Sequence, residues 1–227
     1  MKYNIFKFLK KNLIEFTGLS KETVEKYIIR EKSIPNHIDE WNFWNPINND
    51  EINWFYVCSR AYIFASARHV LSKDIFNRVQ ISSVILDFGG GIGHATLPLA
   101  LYKKCEVHYF DINLIQREFI KFIKKKYNLP IKVVNYNSEF EPIIENKIKF
   151  DYIFAFDVFE HLPDYPRYIK LLSRVMKDGS EMYVIAPFGQ NEPSHFRDIY
   201  DIDEICKKCN LIKKETLGKT IIYLKKS

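Results

Sequence analysis

Val84-Ile85-Leu86-Asp87-Phe88-Gly89-Gly90-Gly91-Ile92-Gly93 is the stretch whose reading decides the fold. An apolar run, Val84–Leu86, meets an acid and then four glycines among five residues. A buried parallel strand that stops at a ligand has this form, because both its faces are covered and its end must turn sharply. Glycine permits the turn and lets a ligand approach bare backbone. His94 to Tyr102 follows with the alanine and leucine content of a helix. Pro98 is compatible with a helix starting near His94 or Ala95, since the first turn has no intrahelical partner for its N–H groups. The unit is strand, glycine turn, helix.

The glycine spacing narrows the ligand. A dinucleotide site calls for G-x-G-x-x-G, whereas Gly89, Gly91 and Gly93 make G-x-G-x-G and His94 follows. With Asp87 two positions before the first glycine, the segment resembles the first motif of the class I S-adenosylmethionine (SAM)-dependent methyltransferases. A purely structural glycine turn would show the same letters, so the remainder of the chain has to support it.

The chain has 227 residues, enough for one domain with an appendage. Its apolar and aromatic content is that of a folded globular protein. The net charge of +6 comes from dispersed lysines, with one dense run between Lys121 and Lys126. A solvated helix face accounts for that run more simply than a nucleic-acid patch. Of the four cysteines, Cys206 and Cys209 form a C-x-x-C without a second pair to complete a zinc site. Lysines interrupt the N-terminus too often for a signal peptide, and no apolar stretch is long enough to span a bilayer. The expectation is a cytoplasmic protein with reduced thiols and no membrane partner.

Residues 1–80 read as an N-terminal helical cap or lid region, and 81–227 as the SAM-binding domain. Ser20 is a plausible N-cap for a helix over Lys21–Glu31 with Val24, Tyr27 and Ile28 on one face. The same letters faintly suggest a helix-turn-helix, and one amphipathic helix explains them equally well. Trp41, Phe43, Trp44 and Trp54 suit either a lid or plain packing. A helix is expected from Glu51 to Val79 with a break near Ser72.

From Ser83 onward strand and helix alternate, which predicts an α/β fold with a mainly parallel sheet. The expected strands are Val84–Leu86, Glu106–Phe110, Ile131–Asn135, Tyr152–Phe156 and Glu181–Ala186. Helices are expected over Leu114–Tyr127, Tyr165–Met176 and Ile202–Cys209. Leu211–Leu217 and Thr220–Lys225, joined through Gly218, read as a closing antiparallel hairpin. Seven strands ending in a hairpin is the Rossmann-like arrangement of class I methyltransferases.

Ligands of open α/β sheets lie at the carboxyl ends of the strands, so the informative residues follow each strand. The resemblance implies that Asp87, Gly89, Gly90, Gly91 and Gly93 contact the cofactor, and that Asp111 with Ile112 receives the ribose. A carboxylate can accept from both ribose hydroxyls. Dehydrogenases place an acid similarly, and a helix N-cap would also use one. After the third strand, Asn137 and Ser138 stand where the family usually has an acid for the adenine amine. Asp157-Val158-Phe159-Glu160-His161-Leu162-Pro163-Asp164 is similar to the run that small-molecule members carry after the fourth strand. It implies cofactor contacts at Asp157 and Val158.

Methyl transfer from a sulfonium requires alignment, exclusion of water and, for a neutral acceptor, removal of a proton. His161 and His195 are the candidate bases, since an imidazole titrates near neutrality. Tyr62, Arg60, Phe188 and Arg197 are the candidate acceptor-binding residues, with the arginines suited to an anionic acceptor. The expected activity is therefore methylation of oxygen or nitrogen in a small molecule, yielding S-adenosyl-L-homocysteine (SAH). A SAM-binding module without turnover is the alternative. A nucleic-acid methyltransferase would need an Asn/Asp-Pro-Pro-aromatic run or a Pro-Cys nucleophile, and the chain has neither. His94 disfavours a nicotinamide enzyme.

Overall fold

The structure is a computed structural model that describes residues 5–29, 63, 64, 67, 70–134, 148–188 and 201–227. Its elements in chain order are α1 (Ile5–Thr17), α2 (Lys21–Ile29), α3 (Lys73–Arg78), β1 (Val84–Phe88), α4 (Thr96–Tyr102), β2 (Glu106–Phe110), α5 (Leu114–Tyr127) and β3 (Ile131–Val133). There follow β4 (Phe150–Phe156), a 3-10 turn over Phe159–His161, α6 (Tyr165–Val175), β5 (Met176–Ile185), α7 (Ile202–Lys208), β6 (Leu211–Leu217) and β7 (Thr220–Lys225). The seven strands form one sheet in the order β3-β2-β1-β4-β5-β7-β6. All neighbours up to β5 are parallel, and β7 runs antiparallel to both β5 and β6. This is the class I methyltransferase sheet, with its order reversing beside β1.

Two hydrophobic layers cover the sheet, and strand alternation assigns residues to each. Ile85, Val107, Tyr109, Phe154 and Tyr183 face one layer, with α4, α5 and the N-terminal helices. Leu86, Phe88, Ile153, Ala155 and Met182 face the other, with α6 and Cys206 of α7. Cys209 is only half-buried at the end of α7. No described helix is long and apolar enough to cross a membrane.

The N-terminal helices share the core of the first layer. Leu9 and Leu13 of α1 and Val24 and Ile28 of α2 are buried there beside Val107 and Ile120. Within the stretch over Leu19–Ile28 a single helix starts at Lys21, with Ser20 Oγ accepting from Thr23 N–H at 3.1 Å. Phe16 meets Phe119 edge-on at 5.4 Å, and Phe8 tilts against Tyr127 at 5.0 Å. Lys126 bridges from α5 to Glu15 and Asn12 of α1. The dense lysine run is thus partly a clamp between helices, while Lys124, Lys125 and Lys126 all oppose the negative end of the α5 dipole.

Several boundaries differ from the sequence reading; among them, β4 starts at Phe150 rather than Tyr152. β1 extends through Asp87 and Phe88, because these pair with Tyr109 and Phe110 of β2. α4 starts at Thr96, one residue past the expected start near His94 or Ala95, and Pro98 falls in its first turn. α6 passes directly into β5, whose first residue Met176 pairs with Phe150. Lys177, Asp178 and Gly179 then bulge out into solvent before pairing resumes at Glu181. The break expected near Ser72 is a helix start, with Ser72 Oγ accepting from Ile75 N–H.

Leu9 is fully buried between α1 and the first layer. Leu9→Ala is expected to lower unfolding free energy by about 2–5 kcal/mol, measured by urea denaturation.

Candidate active site

The site grows from the ends of β1, β2 and β4. Backbone N–H groups of Gly89 and Gly90 donate to Phe110 O at 2.8 and 3.0 Å, which ties the glycine turn to the end of β2. Gly93 N–H donates to Gly90 O at 2.8 Å and closes the turn on itself. A Cβ on Gly90 would lie 2.6 Å from the Tyr109 ring and 2.9 Å from Asp87 Oδ2, so the space itself requires glycine. At Gly89 the constraint is double: φ is +71°, and a Cβ would meet Val158 at 2.3 Å. The turn after β1 therefore touches the turn after β4 directly.

Asp87 and Asp111 anchor this arrangement from within. Asp87 is 2 % exposed, and its Oδ2 accepts from Thr96 N–H at 3.1 Å and from Thr96 Oγ1–H at 2.5 Å. It thereby caps α4 from the neighbouring strand, since Ala95 offers no side-chain cap. Asp111 is 7 % exposed; Oδ2 accepts from Gly91 N–H and Oδ1 from Asn113 N–H, both at 2.7 Å. The Ile112 N–H adds a further favourable contact. A carboxylate has about four acceptor positions, so with these three N–H groups on it Asp111 keeps capacity for a ligand hydroxyl. Burial pushes both carboxyls up to about 6, against the opposing pull of these donors. Both are ionised at neutral pH and favour a cationic ligand nearby.

Tyr109 is the brace that sequence reasoning missed. Its ring lies fully buried under Gly90, and its hydroxyl donates to Gly91 O at 2.5 Å. Burial, together with the Asp111 and Asp87 charges, raises the phenol well above its ordinary range, which keeps it a donor. His94, used in the sequence only to disfavour a dinucleotide, stacks on Phe156 with ring centres 5.8 Å apart. No local pattern signals either contact, because both partners come from other strands.

At the end of β4, Asp157 holds a left-handed backbone (φ +53°) with its N–H on Ile185 O at 2.8 Å. A non-glycine residue adopts that conformation only under local constraint, often at functional positions. Val158 packs over Gly89, and the 3-10 turn then carries Glu160 and His161. Glu160 is 0 % exposed, and among the described residues neither of its carboxyl oxygens has a hydrogen-bond partner. The His161 Nε2 atom lies 3.9 Å from Oε1, outside hydrogen-bond reach. Burial, aided by the Asp157 charge, pushes Glu160 up to about 9. His161 keeps a small exposed fraction. Phe188 tilts against Tyr165 at 4.9 Å on the β5 side of the same edge.

The structure thus brings together Asp87, Gly89, Gly90, Gly91, Gly93, Asp111, Ile112, Asp157, Val158, His161 and Phe188 at the carboxyl edge of the sheet. Asn137, Ser138, Arg60, Tyr62, His195 and Arg197 lie outside the described residues, as do Trp41, Phe43, Trp44 and Trp54. Gly90→Ala is expected to force Tyr109 or Asp87 aside and to cost about 1–3 kcal/mol of stability, read as a fall in thermal midpoint. An unchanged midpoint would show that the turn is looser than its packing indicates.

Comparison with known proteins agrees with this geometry. A family profile described as a methyltransferase domain matches residues 55–220. Sterol 24-C-methyltransferase ERG6 of Saccharomyces cerevisiae is 25% identical over 148 residues, covering 63% of this chain and 39% of that enzyme's length. Among solved structures, a SAM-dependent methyltransferase from Aquifex aeolicus superposes with a TM-score of 0.53 at 15% identity, covering 79% of this chain and 99% of its own. TehB from Haemophilus influenzae superposes with a TM-score of 0.52 at 20% identity, over 67% and 60% of the two chains. At these identities the structural likeness speaks for the fold alone. The family match covers most of the chain, and the glycine turn and Asp111 fit SAM: the protein belongs to the class I SAM-dependent methyltransferases.

Proposed function

We propose that the protein transfers a methyl group from SAM to an oxygen or nitrogen of a small-molecule acceptor. The observation that carries this reading is Asp111, locked against the Gly91 N–H with acceptor capacity to spare. When bound, SAM supplies a methyl group activated by a sulfonium. Asp111 would hold a ribose hydroxyl, while Gly89, Gly90, Gly91, Gly93, Asp157 and Val158 would present backbone to the rest of the molecule. The buried negative charges of Asp87 and Asp111 favour the positively charged donor over its neutral-sulfur product.

Acceptor chemistry falls to the residues past β4 and β5. Phe188 and Tyr165 form an apolar wall that helps keep water from the reacting atoms. His161 is the base within the described residues, taking a proton from a neutral acceptor as the new bond forms. His195 is the second candidate base, with Arg60, Tyr62 and Arg197 as further acceptor contacts. Asn137 and Ser138 would serve the adenine. The N-terminal region would cap the acceptor side.

Transfer of labelled methyl from SAM to a panel of phenols and primary amines tests the reading. The expected result is turnover that falls about 10²–10⁴-fold in His161→Ala, with SAM affinity kept. Undiminished turnover would remove His161 as the base.

A further inference from the structure

In the second layer, α6 and the end of α7 enclose a cleft of about 350 Å³, lined by Lys170, Ser173, Arg174, Lys208, Cys209 and Asn210. Three of these side chains are cationic and none is acidic. Lys170 and Arg174 stand four apart on α6 and share one helix face, an arrangement of like charges that weakens a helix. Among the described residues, neither forms an ion pair with an acid. Lys208 pairs with Glu204 at 2.7 Å, but both side chains are largely exposed, and a pair in water holds its lysine weakly. The ordinary reason for cations at such a place is the negative end of each helix, and other lysines already occupy it. Lys149 Nζ donates to Arg174 O at 2.5 Å, and Lys225 Nζ donates to Cys209 O at 3.0 Å. The three cleft cations are surplus to the helix ends, and Lys149 and Lys225 add to the positive charge around them.

We infer that this cleft is a second ligand site, one that takes a phosphate group, free or carried by a small molecule. A phosphate group brings up to two negative charges and three acceptor oxygens. The Arg174 guanidinium offers a planar fork of donors that can engage two of those oxygens, while Lys170 and Lys208 meet the group as point charges. The Asn210 amide adds a neutral donor. A carboxylate, with one charge and two oxygens, leaves part of this lining unanswered. A nucleic-acid strand calls for cations spread along successive phosphates, whereas these converge on one concavity. The cleft is also separate from the methyl-transfer edge. α6 begins at that edge, where Tyr165 meets Phe188, and Arg174 lies in its last turn, about 13 Å along the axis. A phosphate group held there is remote from the reacting atoms, so the ligand is neither the cofactor nor the group that receives methyl. Such a site goes beyond the methyltransferase reading and stands without it.

The test uses the full chain in chloride buffer, with and without SAH, titrated calorimetrically with inorganic phosphate, glycerol 3-phosphate and succinate. A phosphate probe is expected to bind with Kd below about 1 mM and at least about tenfold more tightly than succinate, with affinity falling as salt is raised. The tighter of the two phosphate probes says whether the ligand is the free ion or an ester. Cys209 reports occupancy, because it lines the cleft half-buried. Its alkylation by iodoacetamide, located by peptide mass mapping, is expected to slow about tenfold at a probe concentration about ten times Kd. Lys170→Ala and Arg174→Ala alter exposed side chains. Each is expected to weaken binding at least about tenfold, with the thermal midpoint kept within about 3 °C of wild type. Failure of both phosphate probes to bind, succinate binding as tightly as they do, unslowed alkylation of Cys209, or full affinity in the double variant would each overturn the proposal. A single-stranded oligonucleotide that binds more tightly than glycerol 3-phosphate at equal phosphate concentration, and weakens in the same variants, would overturn it in favour of a nucleic-acid surface.

Discussion

Two carboxylates at the ends of adjacent parallel strands, Asp87 and Asp111, are held almost without solvent, and the site is built around satisfying them. Removing a charge from water is costly unless donors replace the lost hydration. Asp87 finds its donors at Thr96, which fixes where α4 begins. Asp111 finds its donors at Gly91 and Asn113, which fixes both the glycine turn and the approach to α5. Burial still outweighs these donors, since both carboxyls sit near 6 rather than near 3.8. A raised carboxyl contributes stability below its unfolded value and loses it as pH rises through the folded one. At neutral pH the edge of the sheet therefore carries negative charge at some cost to the fold. A cationic ligand relieves that cost, so the same constraint that shapes the turn also selects what it binds.

The turn is also moulded by contacts that no charge requires. Tyr109 fills the space under Gly90 and holds Gly91 O, while Val158 fills the space beside Gly89. The segments after β1, β2 and β4 consequently share one packing problem. A shift at any of them reaches the others through contacts closer than a methyl group would allow. This explains how a cofactor loop and an acceptor-side turn, distant in sequence, can hold reacting groups in alignment.

Much of this was legible in the chain. Leu114–Tyr127 stands out as a helix because Asn113 caps it, with its side chain on Gln116 N–H, and Asn128 ends it in a left-handed conformation. The β6–β7 hairpin is legible because Gly218, with φ +59°, occupies the first of two turn residues. Each of these signals lies within a few residues of what it specifies. What escaped reading is specified across the sheet. Asp87 and Phe88 belong to β1 because β2 lies alongside them. Met176 starts β5 because Phe150 pairs with it, past a bulge that looks like a plain stop. Tyr109 is an ordinary letter in sequence, and its role comes from burial that only the tertiary fold creates.

The central claim is that the acid ending β2 binds the cofactor's ribose, and calorimetric titration of the wild type and Asp111→Ala with SAM, SAH and NAD tests it most directly. The account predicts micromolar binding of SAM and SAH to the wild type, at least about tenfold weaker binding to Asp111→Ala, and no binding of NAD. Equal SAM affinity in the two proteins, or a preference for NAD, would contradict it.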